Sequence, residues 1–261
     1  MAERNRRAFL KAGALAGVLT LAGCAGSGRR QPRGHVVVVG GGYGGATAAK
    51  YLRMWSARGV EVTLVERSPR FVSCPMSNLV IGGSRSMADI TLGYDRLQSH
   101  WGVRIVHDEV LAIDAAARSV RLAGGGDLRY DRLVLSPGID FMWQEIPGLD
   151  NAGAQASILH AWKAGAQTVA LRRQLEAMPD GGVFVLSVPR APYRCPPGPY
   201  ERACLVADYC KRHKPRSKVV VLDANDEIVS KKGLFAKAWA ELYPEIIEYR
   251  PQSELRDVDV A

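Results

Sequence analysis

Three observations predict an α/β fold of two dinucleotide-binding (Rossmann-like) domains, incomplete at the C-terminus. A valine run, Val36 to Val39, leads straight into a glycine-rich turn. A second strand, Val60 to Glu66, follows after one helical stretch and ends on a carboxylate. The same order of strand, helix and strand returns between Val183 and Asp223. Short β-branched runs alternating with helical stretches mark parallel sheets joined by helical crossovers.

In the first unit, four consecutive valines have no polar face to show to water, so the strand is expected to be buried on both sides. Gly40, Gly42 and Gly45 then fall on G-x-G-x-x-G. The first glycine allows a tight turn, the second lets a pyrophosphate approach the backbone, and the third lets the next helix pack on the strand. That helix is expected from about Ala46 to Trp55, with its N-terminal N–H groups aimed at the phosphates. Glu66, 21 residues beyond Gly45, is placed to accept hydrogen bonds from ribose hydroxyls and would repel a 2′-phosphate. FAD or NAD is therefore favoured over NADP.

The first thirty residues read as an address. Arg6-Arg7-Ala8-Phe9-Leu10-Lys11 has the twin-arginine form, and the apolar run from Ala12 to Ala22 is too short to span a bilayer comfortably. Bacterial export to the periplasm is the expectation. Leu21-Ala-Gly-Cys24 is open to two readings: a lipoprotein site with Cys24 as the anchored residue, or a small-residue cleavage region with an incidental cysteine. The leader holds six of the 35 basic groups and one of the 26 acidic ones, so the formal charge of +9 becomes 29 against 25, or +4, without it. No basic cluster with interleaved aromatics remains, so nucleic-acid binding gains no support. The cysteines, Cys24, Cys74, Cys195, Cys204 and Cys210, match no metal-ligand spacing, and no metal site is expected.

Arg67 to Leu79 reads as a loop, because Pro69 and Pro75 break any regular run, and Cys74 sits in it. A helix is expected from Asp89 to Trp101, strands at Val103 to His107, Val110 to Ile113 and Ser119 to Leu122, and a hairpin turn at Gly124 to Gly126. Tyr130 to Leu135 reads as a short buried strand ending in Ser136-Pro137-Gly138, where the chain would pass a cofactor. After a Pro- and Gly-rich connector, Ser157 to Met178 reads as helix, Val183 to Val188 as strand, Tyr200 to Lys211 as helix and Lys218 to Asp223 as strand. Between the last strand pair, Pro189 to Glu201 carries five prolines where a nicotinamide-binding domain has glycines. Prolines remove backbone donors, so no pyrophosphate could be cradled there, and Asp223 reads as a strand-end residue. The chain thus divides into a leader (1–30), an FAD-binding part (31–150), a second Rossmann-like part without a nicotinamide fingerprint (151–240) and an irregular tail (241–261).

Residues 34 to about 240 resemble the flavoprotein subunit of flavocytochrome c sulfide dehydrogenase, within the wider sulfide:quinone oxidoreductase group. The stretches that carry the resemblance are VVVVGGGYGGATAAKYL, EVTLVE, SCPMSNLVIGG, YDRLVLSPGI, HAWKAG and above all YRCPPGPYERA. It implies the FAD/NAD(P)-binding disulfide reductase type of fold and an oxidoreductase that takes electrons from sulfide and gives them to a c-type cytochrome subunit. It implies FAD joined covalently through Cys74, and Cys195 as one half of a redox disulfide. No C-x-x-C-H is present, so haem is expected only in a partner. Glu201 is a candidate proton acceptor near the sulfur, against the plainer reading of a solvated glutamate at a helix N-terminus. His160 and Trp162 of HAWKAG approach the flavin or simply pack a helix, and Cys204 and Cys210 are expected to be buried spectators. In the resembling family a further FAD segment and the second redox cysteine follow, which makes a C-terminally truncated chain the expectation. Two alternatives stay open beside the cytochrome-linked enzyme: a sulfide:quinone oxidoreductase, and an inactive flavin-binding fragment.

Overall fold

The computed structural model describes residues 32–259, so the twin-arginine segment and Cys24 lie outside the described residues. Four parallel strands make the first sheet. β1 (His35–Val39) leads into α1 (Tyr43–Trp55), which starts inside the glycine turn, three residues earlier than expected, and β2 (Glu61–Val65) follows. Then come β3 (Phe71–Val72), α2 (Cys74–Ile81), β4 (Thr91–Leu92), α3 (Asp95–Ser99) and β5 (Arg104–Val106). Next are the antiparallel strands β6 (Val110–Asp114), β7 (Ser119–Leu122) and β8 (Asp127–Arg129), and finally β9 (Arg132–Leu135). The sheet order is β5-β2-β1-β9.

The valine run explains this layering. Val36 and Val38 point to one face, where Ala49 of α1, Val62, Leu64, Tyr94 and Val103 close over them. Val37 points to the other, against Val65 of β2 and Val120 and Leu122 of the three-stranded antiparallel layer. Each fully buried valine contributes about 1.5–3 kcal/mol relative to exposure. A strand covered on both faces needs exactly this uninterrupted apolar sequence.

The second sheet has the order β10-β11-β12 and is also parallel. Before it come α4 (Ala152–Ser157) and α5 (Ala166–Ala177). β10 (Val183–Val188) and β11 (Lys218–Asp223) have the expected bounds, joined by α6 (Gly198–His213); α7 (Lys232–Leu242) leads to β12 (Ile247–Arg250). Ala203, Val206, Ala207 and Cys210 of α6 pack on Val219 and Val221.

Four local expectations are corrected. The stretch expected to be a loop, Arg67 to Leu79, holds α2: Pro75 sits in the first helical turn, where no N–H is needed, and the Ser73 hydroxyl caps the Met76 N–H at 3.4 Å. The helix expected at Asp89 to Trp101 is a single 3₁₀ turn, β4 and the short α3. The helix expected at Ser157 to Met178 is broken between Ser157 and Ala166, with Gly165 at φ +153 before α5. The tail expected to be irregular contains β12, held by register against β11 from Val219↔Ile247 to Leu222↔Arg250. The two units also share a core, because Ile81 of α2 is buried among Leu171, Leu175, Leu186 and Tyr200.

Candidate functional site

Gly40 adopts φ +94, and a Cβ on it would lie 2.0 Å from the Ser136 carbonyl; a Cβ on Gly45 would lie 1.8 Å from the Gly40 carbonyl. These two glycines allow strand ends and helix to meet. Gly42 differs: a Cβ there would meet nothing within 4 Å, so this backbone faces open space. It is the N-cap of α1 and offers no side-chain cap, and the first turn holds no acidic residue. The N–H groups at this end remain available to an anion.

Glu66 follows β2 and closes the turn from the side. Its carboxylate accepts the Gly41 N–H at 2.7 Å and the Ser68 N–H at 2.8 Å. Tyr94, which sequence reasoning did not single out, donates its hydroxyl to the Gly41 carbonyl at 3.1 Å. Burial, and secondarily the charge of Glu66, push this phenol up to about 12. Ser136, Pro137 and Gly138 continue from β9: the Ser136 N–H donates to the Val39 carbonyl at 2.8 Å, and Gly138 is exposed at φ +82 with nothing within 4 Å of its Cβ position. All seven glycine, glutamate and Ser-Pro-Gly positions named from the sequence thus surround one turn.

The thiols form the second part of the site. Cys74 opens α2, and the capping Ser73 shares a 2.6 Å hydrogen bond with the hydroxyl of Tyr43, the first residue of α1. The glycine turn and Cys74 are coupled through this pair. The Cys74 thiol donates to the Trp162 carbonyl at 3.0 Å. Burial raises it above the ordinary thiol value, while Arg194 and then Arg202 pull it down. Cys195 is exposed at φ +56, just ahead of α6, and its carbonyl accepts the Gly198 N–H at 2.9 Å. From the same loop Arg194 donates to the Trp162 carbonyl at 3.4 Å, and the Tyr193 ring meets that of Trp162 edge-on at 5.6 Å. Cys74 and the Cys195 loop therefore converge on Trp162.

Beneath them lies Arg202, a second residue that the sequence reading passed over. It is 6% exposed and donates to Asn78 Oδ1 at 3.0 Å and to the Ala161 carbonyl at 3.2 Å. Burial lowers it to about 10, against the upward pull of Cys74, Cys195 and Glu201. Glu201 is exposed in the first turn of α6, and its carboxylate accepts Asn78 Nδ2 at 3.0 Å. Cys204 is half-buried and accepts the indole N–H of Trp239 at 3.1 Å, and Cys210 is fully buried in the core. Neither is bonded to Cys195. Asp223, read as a strand-end residue, is buried with both oxygens engaged: Tyr200 and Tyr249 donate to one, and the Asn225 backbone and amide to the other.

These residues fit a flavin dinucleotide. The open backbone at Gly42 and the uncapped helix end suit a pyrophosphate, Glu66 suits a ribose, and Cys74 is tied to the same turn. His160 adds an independent sign: its ring packs on Phe141 at 4.3 Å between centroids, and its Nδ1 is buried with no hydrogen-bond partner. Burial, with Lys163 and Arg202 adding to it, lowers His160 below the ordinary imidazole value.

Fold and site together define a flavoprotein of the two-dinucleotide-domain disulfide reductase class. Residues 34–173 match the pyridine nucleotide-disulphide oxidoreductase family, and the chain belongs to it. Residues 168–261 match the central part of the sulfide dehydrogenase (flavocytochrome c) flavoprotein chain. A sulfide dehydrogenase (flavocytochrome c) flavoprotein chain from Chlorobaculum thiosulfatiphilum is 60% identical over 46 residues, which is 18% of this chain and 94% of that sequence. The mitochondrial sulfide:quinone oxidoreductase of Dictyostelium discoideum is 27% identical over 70% of this chain and 40% of its own length. In fold, the sulfide:quinone oxidoreductase of Aquifex aeolicus superposes with a TM-score of 0.70 at 20% identity, covering 86% of this chain and 52% of that one. The chain spans less than half the length of the curated relatives it matches, 40% of the Dictyostelium discoideum sulfide:quinone oxidoreductase and 41% of the sulfide-quinone reductase of Aquifex aeolicus.

Proposed function

We propose that this chain is the flavin-bearing part of a sulfide-oxidising oxidoreductase of the flavocytochrome c type, exported to the periplasm, with FAD joined covalently through Cys74. The observation that carries the reading is the convergence of Cys74 and the Cys195 loop on Trp162, one hydrogen-bonded pair away from the glycine turn. Hydrosulfide is a soft nucleophile that attacks a disulfide sulfur and releases a thiolate. Cys195, a free and exposed thiol here, would be one half of that disulfide once oxidised with the second redox cysteine the resemblance implies, and its exposure gives the nucleophile access. Bound FAD would accept the electron pair and pass it on singly, which suits a c-type cytochrome subunit as acceptor with the haem in that partner. Gly42 and the N-terminus of α1 would hold the pyrophosphate, and Glu66 the ribose. Glu201, hydrogen-bonded to Asn78, is the available proton acceptor on the sulfur side. Cys24 as a lipid anchor belongs to the same export reading.

A second reading, a quinone as electron acceptor, is favoured by the two sulfide:quinone oxidoreductase relatives, each aligned over about 70% of this chain. The test is anaerobic addition of sulfide to the yellow full-length chain, followed by cytochrome c or a short-chain quinone. Bleaching that requires Cys195 and is reversed by cytochrome c supports the proposal. Reversal by quinone alone moves the assignment to the second reading, and no bleaching at all contradicts sulfide oxidation by this chain.

A further inference from the structure

We propose that Arg202, with Arg194 beside it, is a positioning residue that favours ionisation of the Cys74 sulfur to its nucleophilic form against the burial that opposes it. The inference rests on reading Cys74 as a thiol that forms a bond. Asn78 lies four residues beyond Cys74 in α2, one turn on and on the same face. Its Oδ1 takes the Arg202 Nε–H, while the other side of the guanidinium is fixed to the Ala161 carbonyl. The neighbouring carbonyl, Trp162, takes the Cys74 thiol. Arg202 is therefore fixed at two points, Asn78 and Ala161, that lie one turn from Cys74 and next to the carbonyl holding its thiol.

The charge balance points the same way. Among the described residues no carboxylate stands within ion-pair distance of Arg202, although it is almost wholly buried. Glu201 turns instead to the amide nitrogen of Asn78. A buried cation is strongly disfavoured unless an anion lies near; beside the carboxylate of Glu201, an ionised Cys74 or Cys195 supplies one. When the thiol ionises it gives up the Trp162 carbonyl, which keeps Arg194 as a donor. Burial is the largest influence on Cys74 and favours the neutral thiol; Arg194, Arg202 and the Ala164 backbone favour the anion, and Cys195 opposes it when charged. Arg194 is exposed, so salt screens it, whereas Arg202 acts from the interior.

Iodoacetamide reports the anion directly: the thiolate forms a C–S bond to the methylene carbon, iodide leaves with the electron pair of the broken C–I bond, and the thiol proton goes to solvent. The experiment follows the Cys74 peptide by mass in the flavin-free full-length chain as a function of pH. Arg202→Met is expected to slow the reaction at pH 7 about tenfold, with the difference shrinking at alkaline pH as the thiol ionises in every variant. Arg202→Lys, which keeps the charge, stays within about threefold of the unaltered chain, and Arg194→Met slows the reaction at low salt only. Equal rates in all variants at pH 7, or slowing by Arg202→Met that persists unchanged at pH 11, would overturn the proposal. If circular dichroism shows that Arg202→Met does not fold, Arg194→Met decides: a salt-dependent loss upholds the charged setting of Cys74, and no loss overturns it. No flavin or sulfide enters this assay, so its outcome stands apart from whether Cys74 carries FAD.

Discussion

Asp223 ends β11 where a nicotinamide-binding domain would place a ribose acceptor, yet it is fully buried and accepts from Tyr200 at 2.7 Å, Tyr249 at 3.0 Å and Asn225. It organises the end of the second sheet. Asp223→Ala would take this acceptor from two phenols and from the Asn225 backbone N–H, and urea unfolding is expected to show a loss of about 3 kcal/mol or more, against about 1 kcal/mol for Tyr249→Phe. Equal small losses would contradict the hub. The buried phenols also set an alkaline limit. Tyr94 is raised to about 12, and burial with the Asp223 bonds raises Tyr200 and Tyr249 as well. Cys74, Cys204 and Cys210 are raised by burial above 9.0. For each group the fold favours the neutral form, so its contribution is complete below the unfolded pKa and is lost as pH rises towards the folded one. The melting temperature is expected to fall steadily from about pH 9 to pH 12, and a flat profile across that range would contradict the burial of these groups. At this scale the sequence showed Cys74, Cys195 and Glu66 by type and spacing. Arg202 and Tyr94 were hidden because an arginine at the fifth position of a helix, or a tyrosine in a polar stretch, carries no periodic signal of its partners.

Among the elements, the turn between β1 and α1 separates fold from function. Gly45→Ala forces a Cβ to 1.8 Å from a backbone carbonyl, and it is expected to cost stability and solubility. Gly42→Ala meets no protein atom and has an ordinary φ of −69, so its melting temperature should stay close to that of the unaltered chain. Its methyl would instead occupy the pyrophosphate space, and flavin retention is expected to drop about tenfold or more. Titration of apo-protein with FAD alongside thermal unfolding checks both; undiminished flavin binding by Gly42→Ala would contradict the assignment of this turn. The bounds of β10 and β11 were legible because apolar β-branched runs of six residues leave little choice. α2 was missed because Pro75 reads as a breaker when it stands at a helix start, where Ser73 supplies the cap. β12 was missed because four residues, Ile-Glu-Tyr-Arg, are too few to show a period, and only the register with β11 makes them a strand.

At the scale of the whole molecule, the departure from the expected helix between Ser157 and Ala166 matters most. A continuous helix would have consumed the Ala161 and Trp162 carbonyls in its own hydrogen bonds. The break frees them to receive Arg202, Cys74 and Arg194, and so joins the first unit to the second. Ile81 makes the same junction in the core, which no local pattern could have announced. On the function proposed above, this junction holds a flavin bonded to Cys74. The direct test of that bond is the intact mass and visible spectrum of the full-length chain after acid precipitation in denaturant. A yellow pellet, a mass increased by one FAD, and loss of both in Cys74→Ser are expected. A colourless pellet with the mass of the bare polypeptide, from protein that was yellow before denaturation, would contradict it.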